Sequence, residues 1–249
     1  MELGSPVAVG NTAKVYLYNN KIYKVFNEAL SDMESQKEAY KQKYAYSCGL
    51  AVPEVFDVTR IDNKQVIIME YVKGRTIGDL VINNRGETEY YMNLSVDIQR
   101  KIHQIEANSI EFMSDKISRQ VENAPLLDSK IKSILIKKME LISFEERLCH
   151  GDYHLFNLIM FESKVSVIDW VDSSAGDLRA DVYRTYLLYS QVSLELAEMY
   201  LRLYCEKSGL SRDEIFQWAP IIAAARLSES VSSEKTQRLI EIIDHNVQI

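Results

Sequence analysis

Short bursts of alternating apolar and polar residues fill the first third of the chain, and longer runs at helical spacing fill the rest. Residues 7–9, 15–18 and 21–26 read as strands. Asn19-Asn20 joins the last two, and asparagine tolerates the positive φ of a tight hairpin. A mostly polar stretch over 32–48 reads as a helix closed by Gly49, with Val52-Pro53 opening the next extended run. Residues 55–58 and 65–69 form two further strands around a turn at 60–64, and Glu70 to Gly74 reads as a linker. Beyond Thr76 the spacing predicts helices over 76–83, 88–107, 114–123 and 127–142. Leu94, Ile98, Ile102 and Ile105 form the apolar stripe of the second of these, and His103 beside it reads as a hydrogen-bonded packing residue. A strand pair over 158–161 and 165–168 interrupts the helices. Further helices follow from Gly176 to Ser190 and over 194–208, 214–230 and 234–247, with Ser211 and Glu214 as a capping box. The order predicts an α+β protein with a small antiparallel β-rich part over 1–72 and a larger, mainly helical part over 73–249.

Composition changes this picture little. The 249 residues can bury a substantial core, and 26% charged with 47% hydrophobic residues is ordinary for a globular protein. A net charge of −7 argues against a nucleic-acid partner and mildly favours a cationic ligand. Cys48, Cys149 and Cys205 are odd in number and widely spaced, which predicts reduced, mostly buried thiols and a cytoplasmic setting. No signal-like leader and no apolar run of about 18 residues is visible, so no membrane partner is expected.

The chemistry concentrates between Cys149 and Trp170. Folding the strand pair back on itself brings Asn157, just before the first strand, beside Asp169, at the end of the second. An amide oxygen and a carboxylate are hard ligands suited to Mg²⁺ carrying a phosphate. Asp152, upstream in the same loop, can accept the proton of an attacking hydroxyl. Taken singly such residues are turn and cap chemistry; their order, His-x-Asp-x-x-x-x-Asn and then Asp, is that of a kinase catalytic loop. Upstream, Gly10, Asn11 and Thr12 lie between two strands where backbone N–H groups could approach phosphate oxygens. Lys24 sits on a strand among apolar residues; standing alone, the segment suggests a solvent-facing lysine. Glu34 and Glu38 on the polar helix are its possible partners. The backbone carbonyl of Glu70 and the N–H of Val72 are placed to meet an adenine edge. Asp181 could brace the backbone of the catalytic loop.

These residues together resemble the aminoglycoside phosphotransferase and choline-kinase-like family, small-molecule kinases that share the two-lobed protein-kinase fold. The resemblance rests on His150-Gly151-Asp152-x-His154-x-x-Asn157, Ile168-Asp169-Trp170, Gly176-Asp177-x-x-x-Asp181 and Ile102-His103. Glu38 with Gly49, Val52 and Pro53 matches the family's helix exit and is preferred to Glu34 for that reason. The resemblance implies Asp152 as catalytic base, Asn157 and Asp169 as Mg²⁺ ligands, and Lys24 on the α- and β-phosphates of ATP, oriented by Glu38, with GTP left open. Val15, Ile22, Ile159 and Ile168 would sandwich the adenine. The chain departs from the family in having a single glycine, Gly10, in its phosphate loop, and Leu178 where proline often follows Gly-Asp. No reacting group is missing.

The expected partner is a small hydroxyl-bearing molecule: an aminoglycoside, an amino alcohol or a sugar. Glu195, Glu198, Glu206, Asp213, Glu214 and Glu229 could neutralise amines, and Tyr183, Tyr186, Tyr189, Tyr204 and Trp218 could cage a quaternary ammonium. A monomer or weak homodimer is expected. A protein kinase is the alternative, opposed by the short stretch between Trp170 and Asp177 and by the lack of Asp-Phe-Gly. A catalytically silent nucleotide-binding protein is the other.

Overall fold

A computed structural model describes residues 3–10, 12–28, 30–231 and 234–247. In sequence order the elements begin with β1 (Ala8–Val9), β2 (Ala13–Tyr18), β3 (Lys21–Phe26), α1 (Glu34–Ser47), β4 (Val55–Ile61) and β5 (Lys64–Glu70). Then come β6 (Arg75–Thr76), α2 (Ile77–Asn83), α3 (Thr88–His103), α4 (Met113–Asn123), α5 (Ser129–Glu140) and β7 (Arg147–Cys149). They end with β8 (Leu158–Phe161), β9 (Lys164–Val167), β10 (Ser174–Gly176), α6 (Leu178–Val192), α7 (Leu194–Ser208), α8 (Arg212–Phe216), α9 (Ala219–Ser228) and α10 (Thr236–Asn246). The protein is of the α+β class. It forms two compact units, Met1–Asn83 with Leu155–Asp172, and Asn84–His154 with Ser173–Ile249.

The first unit is built on an antiparallel sheet in the order β1-β2-β3-β5-β4. Asn19 and Asn20 turn the β2–β3 hairpin at φ 48° and 57°, as asparagine allows. The β4–β5 turn is tighter than 60–64: both strands extend inward, and Asp62 and Asn63 alone carry the positive φ. One face of the sheet presents Ala13, Phe26, Val55, Ile67 and Met69 to Ala39 of α1. Helix α1 buries Ser35, Glu38, Ala39, Gln42 and Ala45 at helical spacing. Two polar members of that face are satisfied internally, Ser35 by Gln65 Oε1 and Gln42 by the Pro53 carbonyl at 2.7 Å.

The polypeptide returns to this unit at 155–172 because β6, β8 and β9 form a second antiparallel sheet, and Val167 N–H donates to Ala51 O. A single cut at 72/73 therefore does not describe the compact units. Gly74 has φ 129°, and a Cβ there would overlap the Met160 carbonyl. Only glycine lets β6 approach β8 so closely.

The second unit is helical around the two-stranded β7–β10 ribbon, which the hydropathy pattern does not predict. Helix α3 ends at His103 rather than 107. Its buried face is Met92, Ser95, Val96, Gln99, Ile102 and His103, while Leu94 and Ile98 are only half-buried. The expected helix over 214–230 is two helices, α8 and α9, divided before Pro220 in the first turn of α9, a residue that cannot donate into a continuing helix. The Ser211–Glu214 capping box is present. The three cysteines are free; Cys149 is buried, whereas Cys48 and Cys205 are only partly so. Among the described residues no helix is long and apolar enough to cross a membrane.

Candidate active site

In the first unit, Lys24 lies opposite Val15 on β2 and Ile67 on β5, on the sheet face that packs against α1 rather than toward solvent. Its Nζ is 2.6 Å from Glu38 Oε1 and 3.1 Å from Asp169 Oδ1. Glu34 instead serves Ser31 and Lys37 at the surface. Burial alone would lower the Lys24 ammonium, but two carboxylates facing it raise its pKa. Glu38 moves up because burial outweighs its share of that one ammonium, with Asp169 and Asp172 adding repulsion.

Asp169 follows β9 with φ 64°, an uncommon backbone state that asparagine and aspartate tolerate best. Asn157 is buried in a short 3₁₀ turn before β8, and its carbonyl accepts from Ile168 N–H at 2.9 Å. The hairpin register, Leu158 opposite Val167, places these two positions at the same end of the strand pair. Their oxygens are hard donors, and the surrounding carboxylates exceed the one ammonium, so the residues present fit a divalent cation.

Gly10 donates its own N–H to Ala13 O at 2.9 Å, so that group is committed within the turn. Thr12 is exposed, and its carbonyl accepts from Asn27; Asn11 lies outside the described residues. Val15, Ile22, Ile159 and Ile168 are apolar and only half-buried. Glu70 pairs with Glu54 through its own N–H and through a side-chain oxygen, and Val72 lies in the irregular stretch after β5.

Asp152 belongs to the second unit. It follows Gly151, whose φ of 81° favours glycine. Asp152 N–H meets His150 Nδ1 at 3.3 Å, and its Oδ2 is 3.5 Å from His154 Nε2. Burial works to raise the carboxyl, but the His154 contact, Arg184 and His150 together hold it well below the usual carboxylate range.

Asp181 braces the loop as expected, accepting from Gly151 N–H at 2.7 Å and His150 N–H at 3.3 Å. His103 Nε2 and Gln99 Nε2 also reach it, at 2.9 and 3.1 Å. His103 Nδ1 meets Tyr204 OH, and Tyr200 OH donates to Gln99. Burial opposes ionisation of Asp181, yet these donors bring its pKa down to about 2. Cys149 lies within reach of the same atoms, but burial and neighbouring carboxylates push its thiol up, so this trio is a hydrogen-bonded core rather than a metal centre.

Sequence reasoning missed Arg184, Gln99 and Thr185, whose hydroxyl accepts from Gln99 Nε2 at 3.2 Å. Arg184 lies one helical turn beyond Asp181, a spacing that could have exposed it. Of the acidic residues proposed to meet amines, Glu198 is taken by Arg212 and Tyr186, Glu206 by Arg202, Glu214 by Ser211, and Glu229 by Arg184 and Arg226. The candidate cage aromatics are buried and fall into separate ring contacts: Tyr183 and Tyr186 with Phe216, Tyr189 and Tyr204 with Tyr200, and Trp218 with Phe144.

Residues 4–216 match the sequence profile of the phosphotransferase enzyme family. An acyl-CoA dehydrogenase family member 11 from Pongo abelii is 26% identical over 179 residues, covering 61% of this chain and 23% of that protein. The chain thus spans about a quarter of the length of the curated relatives it matches. Among solved structures, the aminoglycoside phosphotransferase APH(4)-Ia, in a ternary complex with AMP-PNP and hygromycin B, superposes with a TM-score of 0.72 at 14% identity. That likeness covers 97% of this chain and 92% of that one. The choline kinase LicA from Streptococcus pneumoniae superposes at 0.65 with 17% identity, covering 96% and 91%.

Proposed function

This chain belongs to the phosphotransferase enzyme family, and on that premise we propose that it is a small-molecule kinase moving the γ-phosphoryl group of ATP to an acceptor hydroxyl. The observation that carries the nucleotide side is the Lys24–Glu38–Asp169 cluster, where one ammonium is held by two carboxylates from distant parts of the sequence. Lys24 would bind the α- and β-phosphates, kept in place by Glu38. Asn157 and Asp169 would hold Mg²⁺, which when bound neutralises phosphate charge. Val15, Ile22, Ile159 and Ile168 would pack on the adenine, whose edge would meet the backbone of Glu70 and Val72.

Asp152 would accept the hydroxyl proton as the acceptor oxygen bonds to the γ-phosphorus and the bridging oxygen leaves with ADP. Its depressed pKa keeps it ionised at every working pH. It is correspondingly a weak base, so the proton moves late, and its main contribution is to orient the hydroxyl. Catalysis by positioning suits a site with little covalent chemistry to perform.

Four of the six candidate carboxylates, Glu198, Glu206, Glu214 and Glu229, are held by other side chains and the candidate aromatics are buried, which favours a hydroxyl-bearing acceptor such as a sugar or a simple amino alcohol over a polyamine or a caged quaternary ammonium. A peptide acceptor is disfavoured because Ser174–Gly176, where a peptide platform would lie, is consumed in pairing with β7. The free cysteines suit a cytoplasmic enzyme. The test is MgATP turnover against aminoglycosides, choline, ethanolamine, aminosugars and homoserine-like alcohols, with Asp152→Asn alongside. Equal turnover by that variant with the best acceptor would remove Asp152 as the base.

A further inference from the structure

The Gly151 peptide is gripped from both sides by one helix. Asp181 of α6 accepts its N–H at 2.7 Å, and Arg184, one turn later, donates from Nε to its carbonyl at 3.2 Å. Arg184 is itself fixed, because Nη2 donates to Glu229 Oε2 at 2.7 Å and its side chain is only 8% exposed. Glu229 caps the end of α9 and also accepts from Arg226 and Gln120.

From there the charges run on. Arg226 Nε reaches Glu234, which pairs with Arg238 of α10. Arg238 closes the circuit on α6 by donating to Ser190 Oγ and Leu187 O. A partly buried series of alternating charges, in which Arg184 and Arg226 are buried, therefore starts at the carbonyl next to Asp152 and returns to α6. Such a network is stiff only while every member is paired.

Resting on the reading of Asp152 as the base, we infer that Arg184 is a positioning residue for phosphoryl transfer and that Glu229, through the C-terminal helices, sets its orientation. The guanidinium fork holds a carbonyl and a carboxylate at once, which the single ammonium of lysine cannot do. Arg184 acts on the loop backbone and so affects the transition state more than binding.

The test compares Arg184→Met, Arg184→Lys, Glu229→Ala and the Arg184→Met/Glu229→Ala double variant in the full-length protein. Readouts are kcat and KM for MgATP with the fastest acceptor of the screen (water if none is faster), MgAMP-PNP affinity, thermal midpoint, and amide exchange over 150–154. Arg184→Met is expected to lower kcat about 10- to 100-fold, as small misplacements of reacting groups do. KM and AMP-PNP affinity stay within about twofold, and exchange at Gly151 and Asp152 quickens. Arg184→Lys recovers part of the loss, Glu229→Ala loses less, and the double variant is no slower than Arg184→Met because the two act as one unit. A folded Arg184→Met with wild-type kcat, a change in KM alone, or multiplying losses in the double variant would overturn the inference. Should Arg184→Met not fold, unchanged kcat in both Arg184→Lys and Glu229→Ala does the same. Should Asp152→Asn turn over like wild type, the reading of the base fails by itself. Loop exchange then still decides for Arg184, with unchanged exchange rejecting it.

Discussion

Lys24 Nζ and Glu38 Oε1 meet at 2.6 Å across the gap between a strand and a helix, with Asp169 completing the group at 3.1 Å. The glutamate is 2% exposed, and its other oxygen, Oε2, has no hydrogen-bond partner among the described residues. A buried carboxylate in that position depends on its one ammonium. The same excess of negative charge that suits a divalent cation makes the pair fragile.

Lys24→Met should therefore cost more stability than Glu38→Gln. The first strands a buried carboxylate, a change worth about 3 kcal/mol or more. The second keeps an acceptor for Lys24, leaves Asp169 as its counter-charge, and should cost less than about 1.5 kcal/mol. Urea unfolding of the two variants without nucleotide checks the order. In activity assays Lys24→Met should raise the KM for ATP or lower kcat by roughly tenfold or more if it contacts the phosphates.

Asp181 makes a pH prediction with a definite sign. Its folded pKa, near 2, lies below the ordinary 3.8, so ionised Asp181 stabilises the fold above about pH 4. That contribution is lost as pH falls from about 4 through 2, because the unfolded state takes up the proton first. The size is about 2 kcal/mol. Asp181→Asn should lower stability at neutral pH and flatten the acid limb of a stability–pH curve between those values. Chemical denaturation at a series of pH values reads both.

What could be read from sequence was local. The Asn19-Asn20 hairpin, the Ser211 capping box and the hairpin at 158–168 each follow from a few adjacent residues with a strong backbone or pairing preference. The nearness of Asn157 and Asp169 was legible because the short hairpin between them returns the backbone to its starting end. What escaped was long-range and polar. Helix α3 turns Gln99 and His103 inward because Asp181 needs donors, a demand invisible to hydrophobic periodicity. Strands β6 and β10 are too short to carry an alternating pattern, and exist only because a partner strand is present. Arg184 and Glu229 are 45 residues apart, and neither has a local signature.

Gly74→Ala is predicted to be among the more damaging single-methyl additions in the protein. The residue adopts φ 129°, and the new Cβ would collide with the backbone carbonyl of Met160, which lacks the freedom of a flexible side group to swing aside. Strain of this kind costs on the order of 2–3 kcal/mol. Gly10→Ala provides the control, since its nearest contact would be an ordinary 3.6 Å from Ala13 O. Thermal midpoints should separate the two variants clearly, and a comparable midpoint for both would mean that the β6–β8 approach relaxes without cost.

Asp169→Asn tests the cation reading without assuming an acceptor. The aspartate supplies Lys24 with its second counter-charge and is expected to supply a hard oxygen to Mg²⁺. Replacing it with the amide keeps the size and the tolerance for φ 64°, so the fold should survive with little change in thermal midpoint. The negative charge is lost, however, and with it most of the attraction for a divalent ion. The Mg²⁺ concentration giving half-maximal turnover should rise about tenfold or more, while Asp152→Asn should lower kcat and leave that concentration unchanged. Titrating Mg²⁺ at fixed ATP, and Mn²⁺ in parallel, separates the two carboxylates by role. If both variants shifted the metal requirement equally, the division of labour between base and ligand would have to be redrawn.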